Sequence, residues 1–338
     1  MPDSTAVAVL GGGSFGTVIA NIIASNDNTV RLWMRKPELA ESINRHRCNV
    51  AYLPQYPLHD KLLATASLAE AVAGVQIVFV AVPSQSFRDV VRQVADCIDA
   101  SVLVVSLTKG IEADGFRLMS EILAQELPEN PRAVLSGPNL ASEIAEGQIT
   151  GSVVASAAPA INTILHDLLH SDSFLIYNSH DMYGVELGGA LKNVYAILAG
   201  VAAALELGEN TVGMLLTRSL AEMSRFAVQL GANPMTFLGL AGVGDLFVTC
   251  SSPLSRNYRV GLALGRGQPL EDILEDMDQV AEGINTLKLL KNEAQRRKVE
   301  MPLVAGLYAI LYEHRPVAEI FEGMMHTEQA KDVEFVTQ

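Results

Sequence analysis

The stretch that decides the fold is AVAVLGGGSFGTVIANIIAS, residues 6–25. An apolar run leads directly into the pattern G-x-G-x-x-G, and apolar residues with helical spacing follow it. In such a strand–turn–helix unit, Gly11 permits the tight turn, Gly13 lets a pyrophosphate approach the backbone, and Gly16 lets the helix pack closely on the strand. The N–H groups at the start of the helix then face the phosphates. The stretch predicts a dinucleotide-binding unit, and the alternative is an ordinary βα turn.

A second strand is predicted within NTVRLWMRKPE, residues 28–38, and it ends at two basic residues, Arg35 and Lys36. At this place a site for NAD usually carries an acidic residue that binds the ribose 2′-hydroxyl. Arg35 instead suits a 2′-phosphate, which favours NADPH over NADH as the cofactor. The alternative is a solvated basic residue at a strand end.

Further along, the runs 75–82, 101–107 and 132–137 are short and continuously apolar, as expected of parallel strands that are buried on both faces. Segments with helical periodicity, Ser86 to Ile98 and Gly115 to Leu127, alternate with them. This alternation predicts a doubly wound sheet, whose ligands bind beyond the carboxyl ends of the strands. Polar turns at such ends are Pro83-Ser84-Gln85, Thr108-Lys109-Gly110 and Gly137-Pro138-Asn139. Lys109 is either placed to bind an anion or a surface lysine.

The pattern changes near residue 185, after which the sequence reads as one helix after another. No Pro/Gly/Ser-rich linker separates the two parts. We therefore predict an α/β fold with two domains. A Rossmann-like, doubly wound N-terminal domain spans residues 1–185, and an all-α C-terminal substrate and catalytic domain spans residues 186–338.

The 338-residue chain carries a formal net charge of −14. This charge argues against a nucleic-acid partner, because phosphate backbones are bound by clustered Lys and Arg. The cysteines, Cys48, Cys97 and Cys250, lie far apart and form no CxxC pair, so neither a zinc site nor a disulfide framework is indicated. The N-terminal residues do not resemble a signal peptide. We expect a cytoplasmic protein.

The segment GVELGGALKNVYAILAGVAAAL, residues 184–205, carries a single lysine, Lys192, in apolar surroundings. The part from Leu187 to Leu205 is long enough to span a membrane, but Lys192 near its start and its Gly and Ala content weaken that interpretation. A central lysine costs about 2.5–3.5 kcal/mol on insertion scales. We expect a buried helix inside a soluble domain and no membrane insertion. A buried lysine without a partner is costly, so Lys192 either reaches water or has a chemical role.

A second polar group of residues follows in LAGVGDLFVTCSSPLSRNYRVG, residues 240–261. Asp245 and the pair Arg256-Asn257 stand in otherwise apolar sequence, and the planar fork of an arginine suits a phosphate. Together with Lys192 they are a candidate polar cluster. The alternatives are that Asp245 or Ser255 caps a helix and that Arg256 is a surface residue.

Other chemistries have weaker support in the sequence. His166 and His170 are spaced i, i+4, but no third ligand with recognisable spacing accompanies them, so we predict no metal site. Outside the glycine turn, no Gly-x-Ser-x-Gly or Cys/His arrangement indicates a covalent nucleophile.

The motifs, taken in order, resemble those of the soluble, bacterial-type NAD(P)-dependent glycerol-3-phosphate dehydrogenase family over nearly the whole chain. They are GGGSFGT (11–17), VPSQ (82–85), SLTKGIE (106–112), SGPN (136–139), ELGGALKNVYAI (186–197), AGVGDL (241–246), SRN (255–257) and AEGINT (281–286). The resemblance implies reversible hydride transfer between NAD(P)H and dihydroxyacetone phosphate. The product is sn-glycerol 3-phosphate, which supplies phospholipid synthesis, and the enzyme is expected to be a homodimer.

The resemblance also implies roles for individual residues. Lys192 is the expected proton donor and acceptor. The substrate is expected to contact Lys109, Gly137, Asn139, Lys192, Asp245, Ser255, Arg256 and Asn257. Beyond Gly11, Gly13 and Gly16, the cofactor is expected to contact Ser14, Phe15, Arg35, Lys109, Ala141, Arg256, Val280 and Glu282. Asn139 departs from the family pattern, in which a Ser or Thr is expected.

Two other functions stay open at this point. A sister enzyme of the β-hydroxyacid or ketopantoate type shares fold, cofactor and lysine but reduces a carboxylate-bearing substrate. A non-catalytic NAD(P)-sensing protein keeps the glycine turn and can dispense with Lys192, Asp245 and Arg256, whose joint presence disfavours it.

Overall fold

The computed structural model describes residues 4–275 and 281–326. The chain divides into two compact units, which we call the N-terminal unit and the helical unit. The N-terminal unit comprises Met1–Glu112 and Arg117–Met182, and the helical unit comprises Ala113–Phe116 and Tyr183–Gln338. The sequence did not indicate that residues 113–116 group with the helices. The functional domains 1–185 and 186–338 stay a prediction.

The N-terminal unit alternates strands and helices, as the apolar runs predicted. In chain order its elements are β1 Ala6–Leu10, α1 Ser14–Ser25, β2 Thr29–Trp33, α2 Pro37–His46, β3 Leu62–Thr65, α3 Leu68–Val72, β4 Ile77–Val80, α4 Ser84–Ala95, β5 Leu103–Ser106, β6 Ile111–Glu112, β7 Arg117–Leu118, α5 Met119–Glu126, β8 Arg132–Ser136, α6 Ala141–Ala145, β9 Thr150–Ala155, α7 Pro159–Leu169 and β10 Phe174–Ser179.

All of these strands except β6 and β7 form an eight-stranded sheet in the order β10-β9-β8-β5-β4-β1-β2-β3, and β6 pairs with β7 in a separate two-stranded sheet. The eight-stranded sheet is parallel except where β9 runs antiparallel to β8. Alternate residues of β1 enter two separate apolar clusters, Val7 and Val9 on one side and Ala8 and Leu10 on the other. Because both faces of the sheet are covered, the predicted doubly wound architecture is confirmed.

The predicted helix over Gly115 to Leu127 is wrong at its start. Helix α5 begins only at Met119, because Arg117 and Leu118 pair with Glu112 and Ile111 as a short antiparallel hairpin. Gly115 and Phe116 at the tip of this hairpin have positive φ values of 85° and 51°. A backbone of this conformation is incompatible with a helix.

The helical unit confirms the predicted all-α second half. Its elements are α8 Met182–Ala204, α9 Glu209–Val228, a 3₁₀ turn Pro234–Leu238, a π-helical turn Leu240–Gly244, α10 Asp245–Ser251, α11 Arg256–Gly265, α12 Leu270–Glu275, α13 Glu282–Arg297, α14 Pro302–Tyr312 and α15 Val317–Met325.

Helix α8 is the core of this unit. It is long and apolar enough to cross a membrane, but 89% of its most apolar window is buried inside the protein. Neighbouring backbone packs directly on it: a Cβ at Gly188 would overlap the carbonyl oxygen of Ala241, and a Cβ at Gly200 would overlap that of Tyr258. The helix that carries Lys192 is therefore fixed by close backbone contact.

Candidate functional site

The glycine turn after β1 has the geometry that its sequence predicted. Gly11 has φ +126°, and a Cβ there would overlap the carbonyl oxygen of Ala81. A Cβ at Gly16 would overlap the carbonyl oxygen of Gly11 itself. The Gly11 N–H donates to the Trp33 carbonyl at 3.0 Å, which ties the turn to the end of β2. A side chain is therefore excluded at Gly11 by the backbone conformation and by the contact with Ala81. At Gly16 a side chain is excluded because α1 packs directly on the turn.

The start of α1 is suited to an anion. No side chain caps the helix at Gly13, and a Cβ at Gly13 would meet nothing within 4 Å. Ser14 and Phe15 are the first two residues of the helix, where backbone N–H groups have no intrahelical partner. A side chain at Gly13 would fill this open space, so the residues present fit a dinucleotide pyrophosphate.

Arg35 lies beyond the end of β2 and is exposed. Within the described residues its side chain makes no hydrogen bond or ion pair, and neither does that of its exposed neighbour Lys36, which precedes α2. Arg35 is therefore available for a charged ligand. The adjacent Lys36 is also exposed and carries the same charge, so it can serve as a control position for substitutions at Arg35.

The turns after β4, β5 and β8 lie at the same edge of the sheet, since these strands are parallel neighbours. The Thr108 hydroxyl donates to the Val82 carbonyl at 2.7 Å, and the Lys109 ammonium group donates to the Gly137 carbonyl at 2.8 Å. Two residues predicted to contact substrate, Lys109 and Gly137, are thus brought together. The hydrogen bond links the turn after β5 to the turn after β8 and so fixes the position of the Lys109 ammonium group.

The end of β8 and the loop after it hold two buried polar atoms without partners among the described residues. The Asn139 carbonyl oxygen Oδ1 accepts a hydrogen bond from Ser152 Oγ at 2.6 Å. Asn139 Nδ2 and Ser136 Oγ are buried and have no hydrogen-bond partner among the described residues. Such atoms are costly unless a ligand or water satisfies them. The amide donor of Asn139 fits a ligand oxygen, and its role in binding substrate stays a prediction.

The centre of the helical unit is a buried ion pair between Lys192 on α8 and Asp245, the first residue of α10. The Lys192 ammonium group also donates to Thr249 Oγ1 at 2.7 Å. Exposures of 6% for Lys192, 0% for Asp245 and 6% for Thr249 show that water barely reaches this cluster. The opposite charge of Asp245 compensates the buried ammonium group.

The buried cluster around Lys192 rules out the capping role of Asp245 and includes a residue that the sequence did not indicate, Thr249. The helix cap of α10 is Gly244, so the interpretation of Asp245 as a capping residue is wrong. Sequence reasoning missed Thr249, which stands four residues after Asp245 on the same helix and therefore on the same face. That spacing was the signal that could have identified it.

Cys250, next to Thr249, is fully buried. Burial raises the pKa of the Cys250 thiol to about 12. The thiol therefore stays protonated at neutral pH and is a poor nucleophile.

The SRN motif begins helix α11. Ser255 is its N-cap and accepts a hydrogen bond from the Tyr258 N–H at 3.3 Å, so the capping interpretation of Ser255 is confirmed. Arg256, the first residue of the helix, is exposed. The amide oxygen of Asn257 is already committed, since it accepts from the Gly283 N–H at 3.0 Å. Of the Asn257 side chain, the Nδ2 donor is the group left for a ligand.

The remaining predicted positions lie at helix starts or outside the described residues. Ala141 begins α6 and Glu282 begins α13. Val280 lies outside the described residues. The His166 and His170 rings stack with centroids 4.6 Å apart. In residues 4–275 and 281–326, no group of three or more His, Cys, Asp or Glu is arranged to hold a metal ion.

Comparisons with known proteins agree over both halves of the chain. Residues 6–162 match the model of the NAD-dependent glycerol-3-phosphate dehydrogenase N-terminus, and residues 181–322 match that of the C-terminus. A glycerol-3-phosphate dehydrogenase (NAD(P)+) from Pseudomonas entomophila is 55% identical over 100% of this chain and 98% of the relative. One from Saccharophagus degradans is 54% identical over 99% of this chain and 93% of the relative.

The fold agrees as closely. The crystal structure of glycerol-3-phosphate dehydrogenase from Coxiella burnetii superposes with a TM-score of 0.92 at 36% identity, covering 96% of this chain and 100% of that one. Both halves of the sequence and the arrangement of its elements thus lead to one assignment. This chain belongs to the NAD-dependent glycerol-3-phosphate dehydrogenase family.

Proposed function

We propose that this chain catalyses the reversible, NAD(P)H-dependent reduction of dihydroxyacetone phosphate to sn-glycerol 3-phosphate, with Lys192 as general acid and base. It thereby supplies glycerol 3-phosphate for phospholipid synthesis. The observation that carries the proposal is the buried cluster in which Asp245 and Thr249 hold the Lys192 ammonium group. A carbonyl reductase needs one positioned proton donor beside the reacting oxygen, and this cluster offers one.

The chemistry of Lys192 follows from carbonyl reduction. When bound, the nicotinamide supplies the hydride. Negative charge then develops on the carbonyl oxygen, and the Lys192 ammonium group stabilises that charge and donates a proton to the oxygen. In the reverse direction the same nitrogen accepts the proton of the hydroxyl group. Asp245 compensates the ammonium charge inside the protein, and Thr249 fixes its direction.

The binding residues are proposed on the motifs and on local geometry. The unpartnered Nδ2 of Asn139 and the exposed guanidinium of Arg256 support contacts to an oxygen-rich, anionic substrate. The proposed substrate contacts are Lys109, Gly137, Asn139, Lys192, Asp245, Ser255, Arg256 and Asn257. The proposed cofactor contacts are Gly11, Gly13, Ser14, Phe15, Gly16, Arg35, Lys109, Ala141, Arg256, Val280 and Glu282.

Three further properties belong to the same proposal. Arg35, which is exposed and has no side-chain partner among the described residues, supports NADPH as the preferred cofactor, with NADH as the second. The burial of α8 supports a protein that is not inserted in a membrane, and we propose a cytoplasmic location. The family resemblance supports a homodimer, which light scattering at several concentrations tests.

The deciding experiment measures oxidation of NADPH, and in parallel of NADH, against a panel of carbonyl substrates. The panel contains dihydroxyacetone phosphate, dihydroxyacetone without the phosphate, and ketopantoate. We expect kcat/KM for dihydroxyacetone phosphate to exceed that for dihydroxyacetone by about 100-fold or more, since phosphate binding energy also orients the carbonyl. Faster reduction of ketopantoate would identify the sister activity, and cofactor binding without any turnover would identify a sensor.

A further inference from the structure

Asn49 is a buried amide whose side chain reaches the glycine turn. It lies in the loop after α2 and is 1% exposed. Its Nδ2 donates two hydrogen bonds, to the Gly12 carbonyl at 3.0 Å and to Thr17 Oγ1 at 2.8 Å. One side chain thus holds the backbone of the turn and the first turn of α1 together.

The contact with Gly12 determines where the next N–H points. In a trans peptide the carbonyl oxygen of one residue and the N–H of the following residue point in opposite directions. Because Gly12 O faces Asn49, the Gly13 N–H is directed away from Asn49. This N–H has no acceptor among the described residues. It belongs to the residue whose absent Cβ leaves open space above the turn.

Asn49 is itself held rigidly. The backbone carbonyl oxygen of Asn49 accepts hydrogen bonds from the Leu53 N–H at 2.8 Å and the Tyr52 N–H at 3.2 Å. Two residues earlier, the guanidinium group of Arg47 donates to the backbone carbonyl oxygens of Leu62 and Leu58, at 2.9 and 3.3 Å. These bonds fix the backbone that carries Asn49, so its side chain starts from a fixed position and loses less conformational entropy when it holds the Gly12–Gly13 peptide.

We infer that Asn49 is a positioning residue for the cofactor: it orients the Gly12–Gly13 peptide so that the Gly13 N–H donates to the dinucleotide pyrophosphate. The inference rests on the proposed use of NAD(P)H. Asn49 itself touches no phosphate and acts only through the glycine turn. Its effect is therefore specific to ligands that contain the pyrophosphate.

The test compares Asn49→Ala with a matched control, Asn44→Ala. Asn44 is also an amide of the N-terminal unit, and it exchanges two hydrogen bonds of 2.8 Å with Ala64 of β3, away from the glycine turn. Calorimetry measures the Kd of two probes. NADP+ contains the pyrophosphate, and adenosine 2′-monophosphate lacks it. For Asn49→Ala we expect the Kd of NADP+ to rise about tenfold or more and that of adenosine 2′-monophosphate to change less than about twofold.

The ratio of the two Kd values is the decisive quantity. A fraction of unfolded protein raises the apparent Kd of both probes by the same factor, and this factor cancels in the ratio. Asn49→Asp, which keeps the shape but not the donor, should shift the ratio in the same direction. Equal loss of both probes, an unchanged Kd for NADP+, or the same ratio shift in Asn44→Ala would overturn the inference. None of these measurements needs turnover, so a protein that binds NADP+ through Asn49 but does not reduce dihydroxyacetone phosphate would refute the proposed function alone.

Discussion

The Thr249 hydroxyl and the Lys192 ammonium nitrogen lie 2.7 Å apart, inside the ion pair that Lys192 makes with Asp245. Thr249 donates its own hydrogen to the Asp245 backbone carbonyl at 2.6 Å, so its lone pairs face the lysine. The ammonium group is therefore held by one charged and one neutral acceptor. Its direction is set by α10 as well as by its own helix.

The first prediction concerns this neutral acceptor. Thr249→Val keeps the shape of the side chain but leaves the lysine with one acceptor fewer. We expect kcat for dihydroxyacetone phosphate to fall about tenfold to a hundredfold, because a hydrogen bond to a charged group is worth about 1.5–3 kcal/mol. Thr249→Ser, which retains the hydroxyl, should restore most of the rate. A Val variant with normal kcat would assign Thr249 a packing role only.

The second prediction concerns Lys192 as the general acid. Lys192→Met alone leaves the buried Asp245 without its cation, which costs about 3–5 kcal/mol of stability. The change is therefore combined with Asp245→Asn, which removes the stranded charge. Relative to Asp245→Asn, the double variant should lose about 10²–10⁴-fold in kcat while its Kd for NADPH stays within about threefold. Turnover equal to that of the single variant would contradict the catalytic role.

The third prediction concerns cofactor choice. Arg35→Ala should raise KM for NADPH about tenfold to a hundredfold more than KM for NADH, because only the 2′-phosphate loses a charge-assisted contact. Lys36→Ala is the control, since it removes an exposed cation of equal charge from the adjacent position. Arg35 does not bind the 2′-phosphate if Arg35→Ala raises KM for NADPH and for NADH equally, or if Lys36→Ala changes the two KM values in the same way as Arg35→Ala.

The fourth prediction concerns the substrate phosphate. An ammonium group cannot reproduce the two-pronged contact of a guanidinium, so Arg256→Lys should lower kcat/KM for dihydroxyacetone phosphate by about tenfold or more. Its kcat/KM for dihydroxyacetone, which lacks the phosphate, should hardly change. Arg259→Lys, an exposed arginine on the same helix, serves as the control. Wild-type kinetics in Arg256→Lys would make Arg256 a surface residue.

The fifth prediction concerns Glu222, a buried carboxyl group that accepts hydrogen bonds from the Tyr195 hydroxyl at 3.2 Å and from the Leu303 N–H at 2.6 Å. Burial raises the pKa of Glu222 to about 7, from an ordinary value of 4.5. The folded protein thus binds this proton more tightly than the unfolded chain. The stability that the proton contributes is complete below about pH 4.5 and is lost as the pH rises through about 7.

Urea unfolding at a series of pH values measures this effect. Across the window, the free energy of unfolding of the wild type should fall by about 3 kcal/mol relative to Glu222→Gln, which keeps the acceptor but cannot ionise. Glu209→Gln, an exposed change on the same helix, should follow the wild type. A constant difference between wild type and Glu222→Gln would show that Glu222 does not ionise in this range.

Local patterns in the sequence were sufficient for the glycine turn and the parallel strands, and they singled out Lys192 and Asp245, which the structure brings together. The place of Arg256 and Asn257 in the same cluster stays a prediction. Local patterns failed where a residue's role depends on a partner far along the chain. Thr249 contacts a lysine 57 positions away, and the amide oxygen of Asn257 is taken by a backbone group 26 positions away. The start of α5 was misplaced for a different reason, because a local hairpin, in which β7 pairs with β6, outweighed helical periodicity.

The close backbone packing of α8 determines how this helix exchanges its amide hydrogens. A Cβ at Gly261 would overlap the Ile197 carbonyl of α8, just as Gly200 lies against Tyr258, so the two helices cannot separate partially without breaking both contacts. The amides around Lys192 are therefore expected to exchange with deuterium only through global opening of the helical unit. Their protection would equal the full stability of that unit, and the proposed general acid, Lys192, would lie on its slowest-exchanging segment.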